Sequence, residues 1–144
     1  MPKELLFKIF EDLKNVIILL KSSVGEYVAF EPNKKYTPVE LKLYDALSFR
    51  FEKSVELCLN FFRALENYQF KDSSETLRNL LLRMQKIGVI TDVEEWMLIR
   101  DLRNKIAHTY APEDLLKIYN KILEDYKIIT FTINKVESHL KELR

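Results

Sequence analysis

Glycine and proline are scarce, with two and four copies in 144 residues. Sandwiches and barrels turn often and draw on both residue types. Their scarcity therefore argues against an all-β fold and for long helices with few loops. Cysteine is rarer still. Cys58 stands alone, which excludes an internal disulfide and suits a reducing compartment. Its neighbours Leu57, Leu59 and Phe61 make it a buried structural thiol rather than a nucleophile. A surplus of one charge sign is also missing. The 23 basic and 22 acidic residues leave a net charge of +1, so any nucleic-acid site must be a local patch. Near the N-terminus the longest apolar run is Val16-Ile17-Ile18-Leu19-Leu20. It is far too short to cross a bilayer, and Glu11 and Asp12 precede it, unlike a signal peptide. These absences predict a cytoplasmic protein without a membrane segment.

What is present reads as helix. Apolar residues make up 47% and charged residues 31%, a folded and soluble composition. The length suits one domain, residues 1–144, with a single core. The spacing of Leu6, Ile9, Leu13, Val16, Ile17 and Leu20 predicts a first helix over about 3–22, ended by Gly25. An N-terminal helix over 1–23 and a linker over 24–37 therefore precede a core bundle over 38–141. Val28 and Phe30 are the linker residues placed to pin it to the bundle. Thr37-Pro38-Val39-Glu40 carries a capping box with proline in the first turn, so the second helix starts there. It runs to about Leu65 or Tyr68. A third helix spans from near Ser73 to before Gly88. Thr91-Asp92-Val93-Glu94 forms a second capping box and opens a fourth, which stops near His108. Pro112 opens the fifth.

In the fifth helix, Leu115, Tyr119, Ile122, Tyr126, Ile129, Ile133, Val136, Leu140 and Leu143 alternate spacings of four and three. That is the seam of near-parallel helix packing. Short connections make neighbours antiparallel. The fold class is all-α, an up-and-down bundle of four or five helices.

The fourth helix holds the least ordinary stretch, WMLIRDLRNKIAHTY. On a helical wheel, Ile99, Leu102 and Ile106 form a core stripe. The opposite side carries Trp96, Met97, Arg100, Arg103, Asn104, Ala107 and His108. A solvated face would be rich in Lys, Glu and Gln. Trp and Arg are instead enriched at interface centres, and Ala107 leaves room for a second helix. The face reads as a twofold dimer contact, with Trp96 and Ala107 in the interface. Two copies of Arg103, Asn104 and His108 then gather in one cleft.

Such a cluster suits a phosphodiester. Arg103 can fork onto phosphate oxygens, and His108 titrates near neutrality and can move protons. Asn104 can orient the imidazole or donate to the phosphate. Arg100 is either a phosphate contact or a surface charge. Trp96 suits packing better than base stacking, and Tyr110 either covers the helix end or has a function. No metal-ligand pattern occurs, so no metal or cofactor is assigned. Acid–base cleavage of RNA fits, because the 2′-hydroxyl serves as an internal nucleophile. Arg50 is expected to line the same cleft or to be solvated. His139 is expected to be solvated.

The motif Arg-Asn-x-x-Ala-His-x-Tyr, on the fourth helix of a small bundle and followed by a long fifth, resembles the HEPN superfamily. The likeness is to the HepT-like toxins of HEPN/MNT toxin–antitoxin pairs and covers about residues 38–141. It implies a metal-independent ribonuclease site composed from two subunits. Arg103 and His108 match its Arg-x4-His motif, and Asn104 its polar position. It also implies that Tyr110 is the tyrosine that an MNT-type nucleotidyltransferase partner adenylylates to silence the toxin. The rivals are a non-catalytic substrate-binding or partner subunit of a nucleotidyltransferase and a purely structural helical protein.

Overall fold

The computed structural model describes residues 1–143. It contains five helices: α1 (Lys3–Glu26), α2 (Pro38–Phe70), α3 (Leu77–Lys86), α4 (Val93–Ile106) and α5 (Pro112–Glu142). No strand occurs among the described residues, as the composition predicts. α2 is the centre of the arrangement and touches each of the other four helices. Apolar residues from all five join one buried cluster. Among the described residues, no helix is long and apolar enough to cross a membrane.

The start of α2 forms as its sequence dictates. Glu40 N–H donates to Thr37 Oγ1 at 3.2 Å, and Thr37 N–H donates to Glu40 Oε1 at 3.0 Å. That reciprocal pair satisfies two donors the helix cannot pair internally. The fifth-helix seam also forms, with Tyr119, Ile122, Ile129, Ile133, Val136 and Leu140 buried.

Several boundaries differ from expectation. α1 continues through Gly25 to Glu26, so the connection covers 27–37 rather than 24–37. Gly25 is exposed and helical. A glycine there weakens a helix by about 1 kcal/mol without stopping it. α1 also buries Phe10 in place of Ile9 and Val16. The third helix begins four residues beyond Ser73, capped by Thr76 Oγ1 accepting from Asn79 N–H at 3.1 Å. The preceding stretch is held instead by buried Glu66, which accepts from Ser74 N–H at 2.9 Å and from Arg83 Nη1 at 3.1 Å. Arg83 Nη2 donates to Asp72 at 3.1 Å and completes the clasp. α4 is capped by Asp92, whose Oδ1 accepts from Glu94 N–H at 3.0 Å, and not by a Thr91 box.

The 27–37 connection is pinned by Phe30, while Val28 is exposed. Phe30 stacks on Tyr36 at 5.0 Å and meets Tyr44 and Tyr119 edge-on at 5.2 Å. Tyr44 donates its hydroxyl to the Val28 carbonyl at 2.6 Å, so Val28 contributes backbone rather than side chain. Burial pushes the Tyr119 phenol up to about 12.

Candidate functional site

α4 buries Val93, Trp96, Ile99 and Leu102. Trp96 is therefore no interface residue. It is 0% exposed and packs edge-on against Phe62 of α2, with ring centroids 5.0 Å apart. The wheel explains the correction. Trp96 precedes Ile99 by three residues, and three steps of 100° place it within about 60° of that core position. A large aromatic at the margin of the apolar arc joins it. Met97 is half-buried, whereas Asn104, Ala107 and His108 are exposed.

The last two turns of α4 meet α2 across an open cleft of about 230 Å³. Arg100, Arg103 and Asn104 line one wall, and Glu56, Leu59, Asn60 and Arg63 line the other. Arg63 Nη1 donates to Asn60 Oδ1 at 3.4 Å, and Arg100 Nε contacts its neighbour Asp101 at 3.2 Å. Neither Arg63 nor Arg103 has a carboxylate within ion-pair distance among the described residues. Half-buried Glu52 of α2 senses Arg103. Desolvation pushes its carboxyl up, and the Arg103 charge opposes that rise. The cleft thus presents three guanidinium groups and two carboxamides against one carboxylate, a donor-rich lining that favours an anion.

His108 and Tyr110 lie outside this cleft, beyond the end of α4. His108 N–H donates to the Lys105 carbonyl at 3.0 Å, and Thr109 Oγ1 donates to the same carbonyl at 2.8 Å. These bonds close the helix end and aim the turn outward. The His108 imidazole is exposed and has no protein hydrogen-bond partner among the described residues. Tyr110 is 83% exposed and borders a second groove of about 340 Å³, with Asp45, Phe49, Glu52 and Thr109. One chain therefore brings Arg100, Arg103 and Asn104 together and leaves His108 and Tyr110 outside the cleft.

Sequence reasoning missed Arg63 and Asn60. Their signal is that, with Glu56, they are the polar residues interrupting the apolar run from Val55 to Leu65. Arg50 does not line the cleft. It ties α2 to α1, donating to Ser23 Oγ at 2.9 Å and to the Leu19 carbonyl at 3.3 Å. His139 is not solvated. It is half-buried against Gln69, and burial lowers its pKa. No cluster of His, Cys, Asp and Glu side chains able to hold a metal ion occurs among the described residues.

Comparison with known proteins adds three findings. A family model described as nucleotidyltransferase substrate binding protein like matches residues 8–140. A curated relative from Haemophilus influenzae, named a probable ribonuclease HepT, is 34% identical over 61 residues. The match takes in 42% of this chain and 36% of the relative, so the chain spans about a third of that relative's length. A solved Haemophilus influenzae structure is described as revealing the fold of a substrate binding domain of a nucleotidyltransferase. It aligns over 94% of this chain and 99% of its own, with a TM-score of 0.61 and 20% identity. That likeness shows a shared fold.

Proposed function

The chain belongs to the nucleotidyltransferase substrate binding protein like family and is a HepT-like HEPN protein, and from that premise we propose that it is the toxin of a toxin–antitoxin pair, a metal-independent endoribonuclease. The observation that carries this reading is the cleft. Among the described residues Arg103 has no ion-pair partner there, beside Arg100 and Asn104, and His108 sits exposed beyond the helix end.

The proposed site forms from two chains meeting across the Ala107 surface. One His108 takes the proton of the ribose 2′-hydroxyl as its oxygen attacks the adjacent phosphorus. The second His108 gives a proton to the departing 5′-oxygen. A 2′,3′-cyclic phosphate and a 5′-hydroxyl result, with protons balanced between the two imidazoles. Arg103 stabilises the charge growing on the phosphate oxygens, and Asn104 orients the phosphate or the imidazole. Silencing follows when a nucleotidyltransferase partner transfers an adenylyl group from ATP to the exposed Tyr110: the phenol oxygen bonds the α-phosphorus, pyrophosphate leaves, and the phenolic proton passes to solvent. The added phosphate would then occupy the arginine donors, and the base would crowd the rim.

A second reading is supported by the family description and by that of the solved structure. In it the chain is a non-catalytic substrate-binding or partner subunit of a nucleotidyltransferase. Purified protein and RNA separate the two. The ribonuclease reading predicts cleavage that falls roughly 10²–10⁴-fold in His108→Ala and comparably in Arg103→Ala. Wild-type protein that leaves RNA intact, or variants that cut as well as wild type, would favour the binding subunit.

A further inference from the structure

The wall of the cleft opposite Arg103 belongs to α2, and its arginine, Arg63, bonds Asn60 but makes no ion pair among the described residues. On a helix, a carboxylate three or four residues away is the local partner an arginine can pair with. For Arg63 the only such carboxylate is Glu66, which is buried and already accepts from Ser74 and Arg83. Arg103 has no acidic residue at three or four positions in either direction. Glu56, the single carboxylate of the cleft, lies 3.9 Å from Lys53. Arg100 is held by Asp101 and Arg103 is felt by Glu52, but among the described residues the charge of Arg63 meets no carboxylate and is left for something outside the chain.

We infer that Arg63 and Asn60, together with Arg100, form a second phosphate subsite that holds a single-stranded RNA backbone beside the phosphate addressed by Arg103. This inference rests on the ribonuclease reading for the identity of the scissile phosphate. The occupant follows from the second groove, which lies further along the same helix. Asp45, Phe49, Glu52, Glu56, Asn60 and Arg63 recur at spacings of three and four and so share one face of α2. The Arg63 end of that face offers guanidinium and amide donors without an aromatic ring. The Phe49 end offers exposed rings, Phe49 and Tyr110, beside two carboxylates that repel phosphate. An acidic peptide matches only the first half. A nucleotide chain matches both, with backbone on the arginines and a base on the rings.

The test measures affinity for a fluorescent oligoribonucleotide across a salt series, in a His108→Ala background that leaves the probe uncut. Arg63→Ala should weaken binding about tenfold and reduce the slope of log affinity against log salt by about 0.7, the loss of one single-strand phosphate contact. Arg63→Lys should restore the slope while recovering only part of the affinity, because lysine cannot fork. Asn60→Ala, which changes no charge, should weaken binding with the slope kept. Folding of each variant is checked by helical circular dichroism, and the Lys variant carries the test if the Ala variant unfolds. An Arg63→Ala slope equal to its parent's overturns the subsite, and wild-type cleavage would still leave the ribonuclease reading standing. Polyglutamate competing as well as RNA of equal charge would overturn RNA as the occupant. A slope change in a chain whose wild type cuts no RNA would sink the ribonuclease reading alone.

Discussion

At the scale of single residues, the chemistry-bearing side chains stand where their environment leaves them unspent. Tyr110 is the clearest case, with its ring 83% exposed on the turn between α4 and α5. After treatment with the partner nucleotidyltransferase and ATP, the Tyr110 peptide should gain the mass of one or more AMP units. Tyr110→Phe should escape the inhibition. Full inhibition with an unmodified peptide would mean that binding alone silences the activity. Asp125 is the opposite case, a buried carboxylate that Lys121 meets at one oxygen only. It is buried on α5, its Oδ2 has no hydrogen-bond partner, and Lys121 lies 3.4 Å from Oδ1. Desolvation pushes its carboxyl up to about 6. Lys121 opposes the rise, and Glu124 and Glu95 add to it. A carboxyl held above its unfolded value binds more protons folded than unfolded, so its contribution is best below the unfolded value of 3.8 and worsens as pH rises to about 6. Asp125→Asn should therefore raise the melting temperature at pH 7.5 more than at pH 4.5. An equal effect at both values would show that the charge of Asp125 is not what costs stability.

Among these residues, Arg100, Arg103, Asn104, His108 and Tyr110 were legible because they share one contiguous stretch. Arg63 and Asn60 were not, because they come from a helix far away in sequence and only packing sets them opposite Arg103. Asp125 was hidden too. It lies next to Tyr126 but outside the seam series Ile122, Tyr126, Ile129, so the spacing did not mark it as buried.

At the scale of elements, period and caps predicted the existence and order of the helices, and side-chain hydrogen bonds moved their ends. Thr37 and Glu40 announced α2 because both halves of the box lie within four residues. The start of α3 was not legible. The partner that shapes residues 72–74 is Glu66, on the preceding helix, joined by Arg83 from the following one. Trp96 shows how a wheel drawn too narrowly misplaces a residue. Its indole fills the space between α4 and Phe62 of α2, and this contact holds the Arg100–Asn104 wall against Arg63. Trp96→Ala should cost about 3–5 kcal/mol in denaturant unfolding, as deleting a buried aromatic does. A loss under about 1 kcal/mol would mean that α4 is held by other contacts. Because the indole N–H has no partner among the described residues, Trp96→Phe should recover most of that loss.

At the scale of the whole molecule, the central question is assembly. In one chain the arginine cleft and the His108 turn are neighbours but not one site, and a second copy meeting the Ala107 surface would supply the missing half. Ala107 is exposed, so substitution there acts on association rather than on the core. Ala107→Arg should stay helical and sediment as a monomer with cleavage lost. An unchanged dimer would move the interface elsewhere. The most direct measurement of the ribonuclease account is the chemistry of the cut ends. Purified protein is incubated with a defined RNA, and with the DNA of the same sequence, in the presence of excess chelator. The account predicts RNA fragments ending in 2′,3′-cyclic phosphate and 5′-hydroxyl, with the DNA intact. Cleavage that needs added magnesium, leaves 5′-phosphates or cuts the DNA would contradict it.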